Sequence, residues 1–262
     1  MMTGYFDESL DKSTIVCAGW IADDNQWDQI IDKWDARVKY ESRRSVKKGL
    51  KPLSRYHAAD CSALENEFKG WSSERQIRFV KHLQNIMFGP EKYKRVRHTD
   101  RPMVFGFAAS LKEARNANFG LTEKQLRQYC YFICVTQCLK EIGLVMREFH
   151  TQDRITFFHD RGDFVSTAIR AFDAEISDNE ISRERFVTMA PMGWENCIPL
   201  QPADMIAHDL LHRLRNHLVG RDIVRKSLAR IVGNQTPISA GAVGCEDWHV
   251  VEPCAAALET FS

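Results

Sequence analysis

Three aspartates and one histidine occupy positions where chemistry could be done. Asp7 lies in Tyr5-Phe6-Asp7-Glu8-Ser9, where apolar residues run into two adjacent carboxylates before a polar turn (Leu10 to Ser13) and a second apolar run, Thr14 to Ile21. That pattern predicts a β-hairpin with an acid inside its first strand. Asp is depleted in strands, and an unpaired carboxylate in a core costs several kcal/mol, so Asp7 needs a partner; a metal ion is one candidate. Alternatively Asp7 ends the strand and starts the turn. Asp160 closes the apolar segment Arg154 to His159, and Asp204 follows Leu200-Gln201-Pro202-Ala203 at the start of a helical pattern. Each again has a structural reading, as a strand-end turn residue and as a favourable charge at a helix N-terminus. His57 lies in Tyr56-His57-Ala58-Ala59-Asp60, a short segment that reads equally as strand or turn.

Other metal-ligating residues give weaker patterns. His208 and His212 are four apart on the helix of Asp204, a spacing that can hold zinc, but Asp209 stands where the HExxH motif requires Glu. None of the eight cysteines forms a CxxC pair. Cys130, Cys134 and Cys138 share one helical face and read as small packing residues, the whole set as reduced thiols.

The elements that must position these residues follow from periodicity. Asp23-Asp24 caps a helix whose apolar face is Trp27, Ile30, Ile31, Trp34 and Val38. Lys39 to Arg55, with Arg43, Arg44, Lys47 and Lys48 against only Glu41, shows no period and reads as a basic loop able to touch phosphate. A helix is expected over Ser73 to Met87 with Ile77, Val80, Leu83 and Met87 inward. A second basic cluster, including Lys94 and Arg95, leads into a buried strand, Met103 to Leu111. Thr122 opens a helix to about Glu148. After Asp160 a helix reaches about Ser177, then a polar loop leads to a short strand, Phe186 to Met189. The last patterned helix buries Ala203, Ile206, Ala207, Leu210, Leu211 and Leu214, with Asp204 at the edge of that face. Beyond Arg221 a helix and a patternless tail are expected.

The 262 residues can bury a sizeable core; 44% hydrophobic and 27% charged content is ordinary for a globular chain, and a net charge of +1 names no partner. No apolar run reads as a membrane span and no signal peptide is evident, so a cytoplasmic protein without membrane association is expected. Strands alternating with helices after a hairpin predict an α/β fold, a mixed sheet flanked by helices, in a single domain over 1–262.

An acid in the opening strand, one ending a central strand and one on a C-terminal helix is the layout of the ribonuclease-H-like fold. Tyr5-Phe6-Asp7-Glu8-Ser9, Tyr56-His57-Ala58-Ala59-Asp60, Phe157-Phe158-His159-Asp160 and Leu200-Gln201-Pro202-Ala203-Asp204-Met205-Ile206-Ala207 resemble the signatures of domain-of-unknown-function family 3800. This bacterial and phage family is thought to share that fold and is proposed to contain nucleases. The resemblance spans about residues 3 to 215, and Gln201-Pro202-Ala203-Asp204 is its most specific part. Two departures are visible: Leu10 replaces a usual Gly, and Arg55 stands where some members carry an acid.

The resemblance implies that Asp7, Asp160 and Asp204 form a set binding Mg²⁺ or Mn²⁺, hard cations that prefer oxygen ligands. Two carboxylates ~4.5 Å apart repel by roughly 4 kcal/mol at an effective dielectric of ~20, so three converging acids must take up protons or a cation. His57 could orient water, shuttle a proton or touch phosphate, or could make a structural hydrogen bond. Glu8, Asp60, Asp163 and Glu195 are further acidic candidates, with Glu8 sent to the opposite sheet face unless a bulge intervenes. His208 is close to Asp204 on the helical wheel. The expected activity is metal-dependent phosphodiester hydrolysis on RNA or DNA, with Arg43, Arg44, Lys47, Lys48, Lys94 and Arg95 on the backbone phosphates. The alternative is a nucleic-acid-binding or regulatory protein that keeps the fold without full catalysis, as in a system of defence against mobile DNA.

Overall fold

The computed structural model describes residues 1–88, 102–149, 153–218 and 238–243. Strands β1 (Met2–Leu10) and β2 (Thr14–Asp23) form the expected hairpin. Its turn is tied by Asp11, whose Oδ1 accepts from the backbone N–H groups of Ser13 and Thr14 at 2.7 and 2.9 Å. Strand β3 (Met103–Ser110) runs antiparallel to β2. On the other side β4 (Ile155–Asp160) runs parallel to β1, and β5 (Phe186–Met192) parallel to β4. The sheet is therefore open and mixed, in the order β5-β4-β1-β2-β3, and a further strand, β6 (Ile238–Val243), extends it parallel to β3.

Helices cover both faces, and strand alternation divides the core. Val16, Ala18, Trp20 and Ala22 of β2 point into a core shared with α1 (Asp24–Val46), α3 (Ser73–Phe88) and α8 (Leu200–Leu218). Ile15, Cys17 and Ile21 point into a second core with α5 (Glu123–Phe149) and α6 (Val165–Asp178). Burial on both sides is why β2 reads as an unbroken apolar run. Cys130, Cys134 and Cys138 are buried free thiols in the second core, as their spacing predicts. Helix α8 lies close on the sheet because its bed is small. A Cβ on Gly106 would come 2.8 Å from Leu210 Cδ2 and 2.9 Å from Ala18 Cβ. The predicted apolar face of α8, Ala203 to Leu214, is buried throughout.

Several expectations change. Helix α1 does not stop at Val38: it runs to Val46, so Arg43 and Arg44 sit in its last turn and not in a loop. The inward face simply continues through Glu41 and Ser45, polar residues that broke the apolar pattern. Glu41 is fully buried; its Oε2 accepts from Arg75 Nε at 2.9 Å and its Oε1 from Arg37 Nη2 at 2.7 Å. Arg75 Nη2 also donates to Ser45 Oγ at 2.9 Å. The inward face of α3 is correspondingly rotated, with Arg75, Phe79, Leu83 and Met87 buried and Ile77 64% exposed. Tyr56 to Asp60 leads into a short helix, α2 (Ala58–Ala63), instead of a strand. A short helix α4 (Leu111–Asn116) takes Leu111 from the end of the expected strand, and another, α7 (Glu180–Arg185), replaces the expected polar loop. Strand β5 extends three residues past Met189, through Pro191, which the edge of a sheet tolerates. Strand β6 lies in the tail expected to be patternless. The expected helix beyond Arg221 and the cluster of Lys94 and Arg95 lie outside the described residues. By length and composition Glu123–Glu148 of α5 could cross a membrane, contrary to expectation, yet 56% of its apolar window is buried inside the protein.

The Glu41–Arg75 pair fastens α1 to α3. Glu41→Ala leaves the Arg75 guanidinium buried without its carboxylate and is expected to cost about 3–5 kcal/mol in urea unfolding, with Arg37→Ala, at the half-exposed end, costing less. Equal losses for both would contradict this ranking.

Candidate functional site

Strands β1, β4 and β5 are parallel, so their carboxyl ends open at one edge, beside the point where the chain's order in the sheet reverses between β1 and β4. Open α/β sheets bind ligands at such a place. A cleft of about 340 Å³ lies there, lined by acids from three elements: Asp7 and Glu8 of β1, Asp160 of β4 and Asp204 of α8. Its wall also carries Arg55, His57, Arg161, Trp194, Glu195 and Gln201.

Each acid is placed by the local fold. Tyr5 stacks on Phe158 with ring centroids 5.4 Å apart, fixing β1 against β4 on the side of α8. Asp7 and Asp160 are each two residues further along, on that same face. Asp204 arrives by a different route. Trp20 Nε1 donates to the Pro202 carbonyl at 3.0 Å, pinning the first turn of α8 to β2. Gln201 Oε1 accepts from Trp34 Nε1 at 2.9 Å and from the Tyr56 backbone at 2.8 Å. Asp204 Oδ2 accepts from the Ala58 backbone at 2.7 Å. The start of α8 thus carries the segment before α2 on its own side chains and sets His57 on the cleft wall. Gln201, in the most specific part of the family resemblance, serves as this clamp through its Oε1.

Glu8 corrects a geometric expectation. The β1–β2 register has no bulge, and alternation does put Glu8 on the other face. It still lines the cleft, because the strand is about to end and the chain after β4 turns at Gly162, where a Cβ would fall 1.7 Å from Glu8 Oε1. Behind it, buried His159 donates through Nδ1 to the Asp160 carbonyl at 2.8 Å and faces the Tyr131 hydroxyl at Nε2. A carbonyl only accepts, so His159 holds its proton on Nδ1. Burial lowers its pKa to about 4, and at neutral pH it is uncharged.

The acids raise one another. Burial, then Asp204, Glu8 and Asp160, push the Asp7 carboxyl well above the usual range, against one hydrogen bond from the Glu8 backbone at 2.8 Å. Burial and Asp160 push Glu8 up to about 7. Asp204 is pushed up to about 6 by burial, with the Ala58 N–H, His57 and Arg55 pulling it down. Burial raises Asp160 as well, while the Arg161 backbone and Arg55 oppose it.

Other candidates lie elsewhere. Asp60 is not in the cleft: its Oδ2 is 2.9 Å from His57 Nδ1, and its Oδ1 accepts from Asn66 Nδ2 at 2.8 Å. Partly buried, Asp60 keeps its pKa low through those two contacts. His208 also stays out of the cleft, its ring packed edge-on against His212 at 4.5 Å. Arg43, Arg44, Lys47 and Lys48, at the end of α1, do not line it either. Glu195 does, and Asp163 does not. Arg55, Arg161 and Trp194 were not picked out as site residues. In the sequence Arg55 is one cation of a basic run, and Trp194 lies in a stretch without periodicity.

The donor set suits a hard divalent cation, and two observations bear on the fit. Glu8 Oε2 and Asp160 Oδ1 are buried oxygens without a hydrogen-bond partner among the described residues, and each of Asp7 and Asp204 spends one oxygen on a backbone N–H. Against that, no group of three or more His, Cys, Asp or Glu side chains among the described residues is already arranged to hold a metal ion. The carboxyls are gathered but not closed into a cage. An all-oxygen donor set with free lone pairs is the kind that Mg²⁺ or Mn²⁺ takes. No protein-family model, curated protein or solved structure matches the chain.

The raised pKa of Glu8 predicts a pH-dependent penalty. Its folded value, about 7, exceeds its ordinary 4.5, so the folded state binds the extra proton and that stability is lost as pH rises from 4.5 through 7. In chelator, Glu8→Gln is expected to match the parent near pH 5 and to be more stable by about 3 kcal/mol at pH 8 in urea unfolding. A difference independent of pH would contradict the crowding of charge around Glu8.

Proposed function

We propose that this protein is a divalent-metal-dependent nuclease of ribonuclease-H-like fold, hydrolysing phosphodiester bonds. The observation that carries the reading is the convergence of Asp7, Asp160 and Asp204, from β1, β4 and α8, with Glu8 in one cleft at the carboxyl ends of parallel strands. Three further points support the fold assignment: the order β5-β4-β1-β2-β3, the antiparallel run β1 to β3, and β4 and β5 parallel to β1. The four segments that resemble family 3800 contribute to one site: two hold each other through Gln201 and Asp204, and the other two supply Asp7 and Asp160.

Asp7, Asp160 and Asp204 would hold Mg²⁺ or Mn²⁺, with Glu8 as a fourth carboxylate. Such ions supply a water of lowered pKa and positive charge against the developing phosphorane. The remaining work falls to the chain itself. Arg55 and Arg161 bind the substrate phosphate from the cleft wall, the guanidinium fork matching two of its oxygens. His57, oriented at Nδ1 by Asp60, which Asn66 holds in turn, presents its other ring nitrogen for holding a water or moving a proton. Asp60 acts through His57 as a positioning residue, and Gln201 through the Tyr56 backbone.

Asp204→Asn preserves an acceptor for the Ala58 N–H while removing the charge, so it separates helix support from metal binding. Asp7→Asn and Asp204→Asn are expected to bring Mn²⁺ uptake by calorimetry and oligonucleotide cleavage to background with little change in melting temperature. Cleavage that survives both substitutions would contradict the proposal. Nucleic-acid binding unaffected by either substitution, from a parent that shows no cleavage with any metal, would replace it with a binding protein.

A further inference from the structure

The wall of the cleft differs in chemistry from its acidic floor. Arg55 lays its guanidinium over the Trp194 ring, 3.8 Å from the centroid. Trp194 belongs to a short turn (Trp194–Asn196) directly after β5, and Gly193 precedes it. A Cβ on Gly193 would lie 2.5 Å from Glu195 Oε2 and 3.9 Å from Arg161 Nη1, so the bare backbone there lets both side chains close in beside Trp194. Arg55, Trp194 and Arg161 therefore stand together, an indole with one guanidinium over it and a second, with the Glu195 carboxylate, beside the preceding glycine. The other indoles of the described residues, those of Trp20, Trp27, Trp34 and Trp71, are buried in the core, whereas Trp194 is only partly covered and lines the cleft.

A guanidinium stacked on an aromatic ring keeps its in-plane N–H donors free for phosphate while its π-stack can be lengthened by another flat ring. A nucleobase provides that ring only when it is released from its neighbours. In a duplex both faces of each base are already stacked, and base–aromatic stacking is the device by which single strands are held without sequence preference. We infer that the Arg55–Trp194 stack, with Arg161 beside it, is a nucleotide subsite that selects unpaired nucleic acid, the base extending the stack while its phosphate meets the guanidiniums and leads the strand toward Asp7 and Asp160. The inference rests on the nuclease reading and gives it a substrate class, single-stranded over duplex.

Binding of a fluorescein-labelled dT12 strand and of the corresponding dT12–dA12 duplex, measured by anisotropy in EDTA so that nothing is cut, tests the subsite. The parent is expected to bind the single strand at least about tenfold more tightly than the duplex. Trp194→Ala should weaken single-strand binding about tenfold and leave the duplex unchanged, while Trp194→Phe retains most of the affinity. Arg55→Lys keeps the charge and loses the planar stack, so it should also weaken the single strand; melting temperatures confirm that each variant is folded. Duplex bound as tightly as single strand, or folded Trp194→Ala and Arg55→Lys variants binding dT12 like the parent, would overturn the subsite and leave metal-dependent cleavage standing. A parent that binds neither oligonucleotide would overturn the subsite, whereas a parent that fails to cleave oligonucleotides with Mn²⁺ would overturn the nuclease reading on which it rests.

Discussion

Like charges confined in a small, poorly solvated space must be compensated, and that constraint organises this molecule. Asp7, Glu8, Asp160 and Asp204 line one cleft, and the crowding lifts their proton affinities. Nothing in the stability of the sheet calls for such an arrangement; buried acids usually lower stability unless paired. The fold maintains it through parts that are themselves well satisfied: the Trp20–Pro202 hydrogen bond, the Gln201 clamp and the Asp204 contact with the Ala58 N–H. A scaffold that gathers mutually repelling carboxyls in one cleft leaves them to be compensated by protons or by a cation.

The same hydrogen bonds explain why distant stretches of sequence act as one unit. Residues 56 to 58 are anchored in part by the buried Tyr56 ring, which packs against Trp34 and Phe79. They are carried by the first turn of α8, and Trp34 reaches the same glutamine oxygen from the middle of α1. Helix α1 is in turn locked to α3 by the Glu41–Arg75 pair. His57 and Arg55 reach the cleft wall at the end of this chain of support, and loss of Gln201 would reach them without touching any acid.

Much of this was legible in the sequence, and the failures have physical causes. The hairpin, β4 and α8 announced themselves by period, and with them the border positions of Asp7, Asp160 and Asp204. Alternation correctly assigned Glu8 to the other face but could not tell that pairing with β4 ends at Phe6 and that Gly162 leaves Glu8 room. The end of α1 was hidden because Glu41 and Ser45 occupy core positions, where a pattern of apolar residues has no sign for a buried ion pair. Asp60 looked like another ligand because sequence carries no direction; it turns to His57 and Asn66. Arg55 and Trp194 meet across 139 positions, a contact that neither local composition nor spacing encodes.

Diffraction from crystals grown with Mn²⁺, collected at the manganese absorption edge, addresses the central claim most directly. The account predicts an anomalous peak in the cleft with oxygens of Asp7 and of Asp160 or Asp204 about 2.1 Å away, in the range of hard divalent cations. Manganese bound elsewhere, with Asp7, Asp160 and Asp204 turned to hydrogen-bond partners and no ion between them, would contradict it.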